Sequence, residues 1–278
     1  MTTNAVTTYL DFGMTKRGKR TCYDYREGQQ AYDLFMGARY LNDVIAYREG
    51  RVDAVYHPED VRDNLRKYTA LTLCSGSNRR LTYHEIGSSV MGVIDALNYL
   101  NGRYGALSTR DITWCGVDNS HFMNAMARYI HEGYDLTVTE TAAPVACDLF
   151  FAKGVSLLYA IHTEELFAEV LAQSRIAVFD YTFTTAPRSH DVVGTGLPVT
   201  YLNFDECRAR LVRTGKKLIL TPYTLRTYHL SLDKVTYECI YGDMEVVGRY
   251  VGAIEKNASE FESVWGRPLV RPMAPVTA

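Results

Sequence analysis

Apolar and polar residues alternate along this chain in two periods, one typical of strands and one typical of helices. Short apolar runs bounded by glycine or polar residues predict strands at 81–86, 112–118, 136–139, 147–152 and 175–180. Between them, apolar residues recur at steps of three and four, which predicts helices at 90–99, at 121–131 and from Thr163 onward. Strands that alternate with helices predict an α/β fold with a Rossmann-like, mostly parallel sheet flanked by helices.

The two ends of the chain depart from this alternation. A helix at 205–214, which we take as the last helix, precedes strand-like stretches at 217–221 and 235–241, so we expect antiparallel C-terminal edge strands. Before the first strand, apolar and tyrosine residues at helical spacing predict an N-terminal helical lid. The expected division is a helical segment or lid at 1–75, a Rossmann-like ligand-binding domain at 76–265 and a loose tail at 266–278.

Composition and charge narrow the function class. The formal net charge is -2 and the basic clusters are short, which argues against a nucleic-acid partner. Apolar runs stay well short of the ~20 residues that a membrane-spanning helix needs, and the N-terminus has no signal-peptide pattern. The six cysteines form no C-x-x-C pair, so we expect no metal site. Together these features predict a cytoplasmic protein that binds neither membrane nor metal.

Two strand ends carry the candidate chemistry. The strand at 81–86 ends in Glu85 and Ile86 and is followed by Gly87-Ser88-Ser89. A sharp turn of such small residues lets the backbone approach a ligand. The strand at 112–118 ends in Asp118 and Asn119, and a carboxylate there can accept hydrogen bonds from both hydroxyls of a ribose. The alternative roles are a solvated strand-end charge for Glu85 and a helix-capping acid for Asp118.

These two stretches resemble the first two motifs of the class I (Rossmann-fold) S-adenosylmethionine (SAM)-dependent methyltransferases. The first motif reads acidic–apolar–Gly–x–Gly–x–Gly; here only Gly87 is a glycine, and Ser89 and Met91 stand at the other two positions. The stretches 147–160 and 197–217 are similar to the corresponding parts of small-molecule and sugar O-methyltransferase-like domains. The resemblance covers about residues 80 to 242.

The resemblance implies SAM as co-substrate and a small-molecule substrate. It places the catalytic candidates Tyr159 and Tyr181 after the fourth and fifth strands, although packing is the alternative role for both. The lid over the sulfonium would include Tyr23, Tyr25 or Tyr32, whose rings can bind a cation. With Tyr25 and Tyr32, the cofactor-binding candidates are Glu85, Gly87, Ser88, Ser89, Asp118, Asn119, Thr139 and Lys153.

Methyl transfer is the favoured reaction, and several alternatives stay open. A SAM-consuming enzyme need not methylate: it can cyclise SAM to azetidine-2-carboxylate with release of methylthioadenosine, or transfer the aminocarboxypropyl group. An oxidoreductase with a nicotinamide cofactor would use Asp118 equally well, although the missing glycines crowd a pyrophosphate. A catalytically silent binding domain, such as a dimerisation partner, is the third class, and a homodimer is also open for the enzyme.

Overall fold

The computed structural model describes residues 14–17, 20–23, 61–76, 79–153, 156–192, 198–222, 233–265 and 276–277. The helices in these residues are α1 Val61–Cys74, α2 Val93–Tyr104, α3 His121–Ile130, α4 Ser156–Ala160, α5 Glu164–Ala172, α6 Phe204–Val212 and α7 Met244–Trp265. The strands are β1 Met14–Arg17, β2 Arg20–Tyr23, β3 Leu81–Ile86, β4 Ile112–Val117, β5 Leu136–Thr139, β6 Cys147–Ala152, β7 Ser174–Thr184, β8 Ser189–Val192, β9 Pro198–Tyr201, β10 Lys217–Pro222, β11 Lys234–Gly242 and β12 Val276–Thr277. Within the described part of the chain, none of the helices has both the length and the apolar character to cross a membrane.

The central sheet has eight strands in the order β12-β10-β11-β7-β6-β3-β4-β5. The five strands from β5 to β7 are parallel, whereas β11 runs antiparallel to both β7 and β10. Their order along the sheet reverses between β3 and β6, which is the doubly wound pattern whose ligand crevice lies at the carboxyl ends of the strands. The predicted α/β class, parallel sheet and antiparallel C-terminal strands are therefore confirmed.

Helices cover both faces of this sheet, and each face has its own apolar core. On one face, α1, α2 and α7 pack on Tyr83, Trp114 and Phe151. On the other face, α4, α5 and α6 pack on Phe150 and Phe179. Every residue of β6 is buried because this strand lies near the middle of the sheet with helices on both sides.

Several elements differ from the sequence-based expectation. The helix at 205–214 is not the last one, because α7 follows β11 and packs through Val247 and Tyr250 against the α1 face. Helix α2 spans Val93–Tyr104 rather than the predicted 90–99, and Gly105 follows its last residue. The strands β8 and β9, which pair with each other, were not predicted.

The N-terminal segment is described only in part. Helix α1 lies within the segment that we expected to be helical, whereas β1 and β2 form a separate antiparallel pair there. Of the tyrosines that we expected in the lid, Tyr23 is the last residue of β2 rather than part of a helix, and Tyr25 and Tyr32 lie outside the described residues.

Candidate functional site

The turn that follows β3 keeps the backbone of a glycine-rich loop without its glycines. Gly87, Ser89 and Met91 have φ angles of 78°, 50° and 55°, all in the left-handed region. These are the three positions at which the resembled motif has glycine. Left-handed backbone costs a side chain roughly 1–2 kcal/mol, so Ser89 and Met91 hold a conformation that the surrounding structure must enforce.

Asp118 is one of the groups that enforce this turn. It directly follows β4, beside the turn, and its Oδ2 accepts a hydrogen bond of 2.9 Å from the backbone N–H of Ser89. Its Oδ1 accepts a second bond of 2.9 Å from the N–H of Ser120, the residue that caps α3. Asp118 thus joins the two loops that form the edge of the crevice, and the carboxylate has further lone pairs with which to accept ligand hydroxyls.

Side chains of α3 and its flanks fix the neighbouring loops. The Asn124 amide donates to the carbonyl of Asp118 at 2.8 Å, and a ring nitrogen of His131 lies 3.0 Å from the carbonyl of Val90. Thr139 ends β5, and its exposed hydroxyl donates to the Thr141 carbonyl. These contacts place Asp118 and Thr139 at the same edge of the sheet, as the sequence predicts for the ends of adjacent parallel strands.

Glu85 lies on the α1 face of β3, and both of its carboxylate oxygens are engaged by buried donors. The Lys67 ammonium on α1 donates to Oε1 at 2.7 Å, and the Tyr83 hydroxyl donates to Oε2 at 2.7 Å. Lys67 also stands 4.2 Å from the centre of the Phe151 ring. Glu85 is therefore not a solvated strand-end charge, because the protein itself supplies an ammonium group to it.

Two further ion pairs tie the first turns of α1 to the carboxyl edge of the sheet. Arg66 pairs with Glu238 on β11, and Asp63 lies 3.1 Å from the ammonium of Lys153, which follows β6. The side chains of Lys67 and Arg66 are each 9% exposed. Sequence reasoning missed these α1 residues, since charges at positions 63, 66 and 67 of an amphipathic helix ordinarily face solvent.

The sheet itself adds one buried and one partly buried acid beyond the end of β6. Residues 180–184 of β7 extend past the last residue of β6, which pairs with Phe179, and β11 pairs with this extension. Asp180 and Glu238 are direct cross-strand partners there, and Asp180 is 2% exposed. Carboxylates directly opposite each other repel, so this arrangement needs nearby positive charge. Charged residues inside apolar strand runs were the available sequence signal for both acids.

The two catalytic candidates lie in different surroundings. Tyr181 is 1% exposed; its ring packs against Phe167 and Phe183, and its hydroxyl donates to the Thr200 carbonyl at 2.8 Å. Burial raises the pKa of its phenol well above 10. This is the packing role that the sequence left open. Tyr159 lies on α4 and is half-buried.

The remaining candidates sit in or beside the crevice loops. Gly87 approaches α4 so closely that an added Cβ would lie 1.9 Å from the Ser156 hydroxyl oxygen. The Ser88 side chain is buried, and its hydroxyl has no hydrogen-bond partner among the described residues. Asn119 is exposed. The structure thus brings Glu85, Gly87, Ser88, Ser89 and Asp118 together at the ends of β3 and β4.

The solved structures to which this chain is similar include SAM-dependent methyltransferases. No family model matches the chain, and no curated protein matches it. Among solved structures, the N-terminal domain of EvdMO1, crystallised with S-adenosylhomocysteine (SAH) and D-fucose, is 14% identical; the match covers 66% of this chain and 82% of that one, with a TM-score of 0.44. A SAM-dependent methyltransferase of Mesorhizobium loti is 14% identical over 65% and 99% of the chains, with a TM-score of 0.37. One of Clostridium acetobutylicum is 11% identical over 72% and 96%, with a TM-score of 0.39.

Because these identities and TM-scores are low, the fold assignment rests on the strand order of this chain.

Proposed function

We propose that this chain is a SAM-dependent transferase that acts on a small molecule, and that it transfers the methyl group. The observation that carries the proposal is the bond from the Ser89 N–H to the Asp118 carboxylate. A dinucleotide site aims the N–H groups of this turn at a pyrophosphate. Here the turn donates to a carboxylate instead, so the crevice suits a nucleoside without phosphates.

The residues present fit SAM in hydrogen bonding and in charge. The Asp118 carboxylate would accept the ribose hydroxyls, as charge-assisted hydrogen bonds favour. The acids Asp63, Glu85 and Glu238 lie at the α1 side of the carboxyl edge, where carboxylates would favour a cationic ligand such as a sulfonium. SAM supplies an electrophilic methyl group when it is bound.

The protein's part in the reaction is to bind and orient. Asp118 and the turn at Gly87–Met91 would position the nucleoside, and α1 would shield the amino-acid end from water. The acceptor would lie beyond β6, near Lys153 and Tyr159. Tyr159 would bind or orient the acceptor there, whereas the Tyr181 hydroxyl already has a backbone partner.

Incubation with SAM, followed by mass spectrometry, tests the reaction type. Methyl transfer requires that SAH form only when a pool of small hydroxyl- and amine-bearing acceptors is added, with a matching mass gain of one methylene on the acceptor. Methylthioadenosine formed from SAM alone would instead identify cyclisation. Methylthioadenosine with an aminocarboxypropylated acceptor would identify the other transfer. Tight binding of NADH with no binding of SAM would overturn the proposal.

A further inference from the structure

Lys67 presents to Glu85 the same chemical group that the amino-acid end of SAM carries. Both are primary ammonium ions, and the Lys67 Nζ lies 2.7 Å from the Glu85 Oε1 with the two side chains 9% and 11% exposed. Under the proposed function, Glu85, the acid at the end of β3, would accept the ligand's ammonium group. The position is therefore occupied by a group of the protein.

The surroundings of the pair make it a defined site rather than a loose surface contact. Tyr83 is fully buried and donates to the second oxygen of Glu85, which fixes the direction of the carboxylate. The Phe151 ring lies under the Lys67 ammonium. An ammonium ion held here is bound by a carboxylate and by the face of an aromatic ring, two groups that commonly bind cations in proteins.

Exchange of one ammonium ion for another at this site is energetically reasonable. A buried carboxylate left without a counter-charge is strongly unfavourable, but replacement of Lys67 by a ligand ammonium keeps the charge balance. Lysine has a flexible four-carbon stem, so its head can leave while α1 stays in place. The other ties of α1, through Arg66 to Glu238 and Asp63 to Lys153, do not involve Glu85.

We infer that Lys67 is an internal competitor of the ligand's α-ammonium group for Glu85, and that SAM binds by displacing it. The inference rests on the proposed function, since it needs SAM or SAH as the ligand. While Lys67 occupies Glu85, the site is closed to the ligand's amino group. The apparent dissociation constant of SAM or SAH then equals the intrinsic constant divided by the fraction of molecules in which Lys67 does not occupy Glu85.

The test is the affinity for SAH, measured by calorimetry, in Lys67→Met. Methionine has a similar length and no charge, so the variant frees Glu85 for the ligand. We expect SAH to bind about tenfold tighter or more than it binds to the wild type. Lys217→Met, which removes the same charge at the start of β10 on the opposite edge of the sheet, is expected to leave the affinity unchanged.

A deaminated SAH analogue sharpens the result. It lacks the group that competes with Lys67, so its affinity is expected to be equal in the wild type and in Lys67→Met. The double variant Lys67→Met/Glu85→Gln restores charge balance and is expected to bind SAH without the gain. The double variant is also the reference if Lys67→Met alone proves unstable. In that case the increase in melting temperature on addition of SAH is compared, and we expect a larger increase for Lys67→Met than for the double variant.

Equal or weaker SAH binding by folded Lys67→Met would overturn the inference, and weaker binding would show that Lys67 contacts the ligand instead. A gain for the deaminated analogue as large as the gain for SAH would also overturn it. Failure of SAH to bind the wild type and every variant is a different outcome, which refutes the proposed function itself.

Discussion

Gly87 is the residue whose substitution the structure constrains most sharply. Its φ angle of 78° lies in the left-handed region, and a Cβ added to it would lie 1.9 Å from the Ser156 Oγ and 2.5 Å from the Ser156 Cβ. The Gly87→Ala variant therefore faces two separate costs. The left-handed backbone contributes roughly 1–2 kcal/mol, and the overpacking against α4 contributes about 1–3 kcal/mol.

We expect Gly87→Ala to lower the free energy of unfolding by about 2–5 kcal/mol. Gly105→Ala is the matched control: its φ is 68°, but nothing lies within 4 Å of an added Cβ. This control is expected to lose only the backbone share, about 1–2 kcal/mol. Urea unfolding followed by far-ultraviolet circular dichroism measures both variants on one scale.

A Ser156→Gly background separates the two costs of Gly87→Ala. Without the serine side chain, the nearest remaining atom of residue 156 is its Cα at 3.8 Å, an ordinary contact distance. In that background Gly87→Ala is expected to cost about 1–2 kcal/mol, as Gly105→Ala does. If Gly87→Ala costs no more than Gly105→Ala, or costs the same in both backgrounds, the close approach of α4 to this turn is refuted.

Three other variants test separate parts of the structure. Asp118→Ala is expected to lower the free energy of unfolding by about 3 kcal/mol, because it removes two charge-assisted hydrogen bonds to the crevice loops. An unchanged free energy in urea unfolding would contradict this role of the two bonds. Burial lowers the pKa of His84 from 6.5 to about 4, so between these two pH values the unfolded chain binds one proton more than the folded protein. The free energy of unfolding therefore decreases by about 3 kcal/mol as the pH falls from 6.5 to 4. His84→Phe is expected to remove that share of the acid sensitivity, and an unchanged difference in urea midpoint between pH 7 and pH 4.5 would contradict it. Tyr181→Phe is expected to cost about 1–2 kcal/mol of stability with SAM turnover unchanged; lost turnover in a folded variant would return Tyr181 to the catalytic candidates.

Strands β6 and β7 were predictable because each is a largely apolar run that is buried on both faces, and the edge strand β5 was predictable because its apolar and polar residues alternate. The bounds of β3, β5 and β6 match the expected ones. Helix α7 was missed because Gly248 and Gly252 interrupt its apolar spacing, and glycine weakens a helical pattern. Strand β8 was missed because its polar residues pair only with β9, a contact that local periodicity does not contain.

In the candidate site too, the features set by local sequence could be predicted, and those set by contacts between distant segments could not. Glu85 and Asp118 could be placed at adjacent strand ends, since parallel strands next to each other end at one edge. The start of α2 could not be located from the sequence, because Ser89 and Met91 adopt a left-handed backbone conformation that their residue types disfavour. The partnership of Lys67 with Glu85 also lay beyond the sequence, because it depends on how α1 packs across the sheet.

Titration of SAH into the wild type, Asp118→Ala and Asp135→Ala by calorimetry tests the central claim most directly. Asp135 is the control, an exposed acid that precedes β5 at the far edge of the crevice strands. At a temperature where all three proteins are folded, we predict that one SAH binds per chain. Asp118→Ala is predicted to weaken this binding about tenfold or more, whereas Asp135→Ala leaves it unchanged. Absence of SAH binding to the wild type, or equal binding to Asp118→Ala, would contradict a SAM site at the ends of β3 and β4.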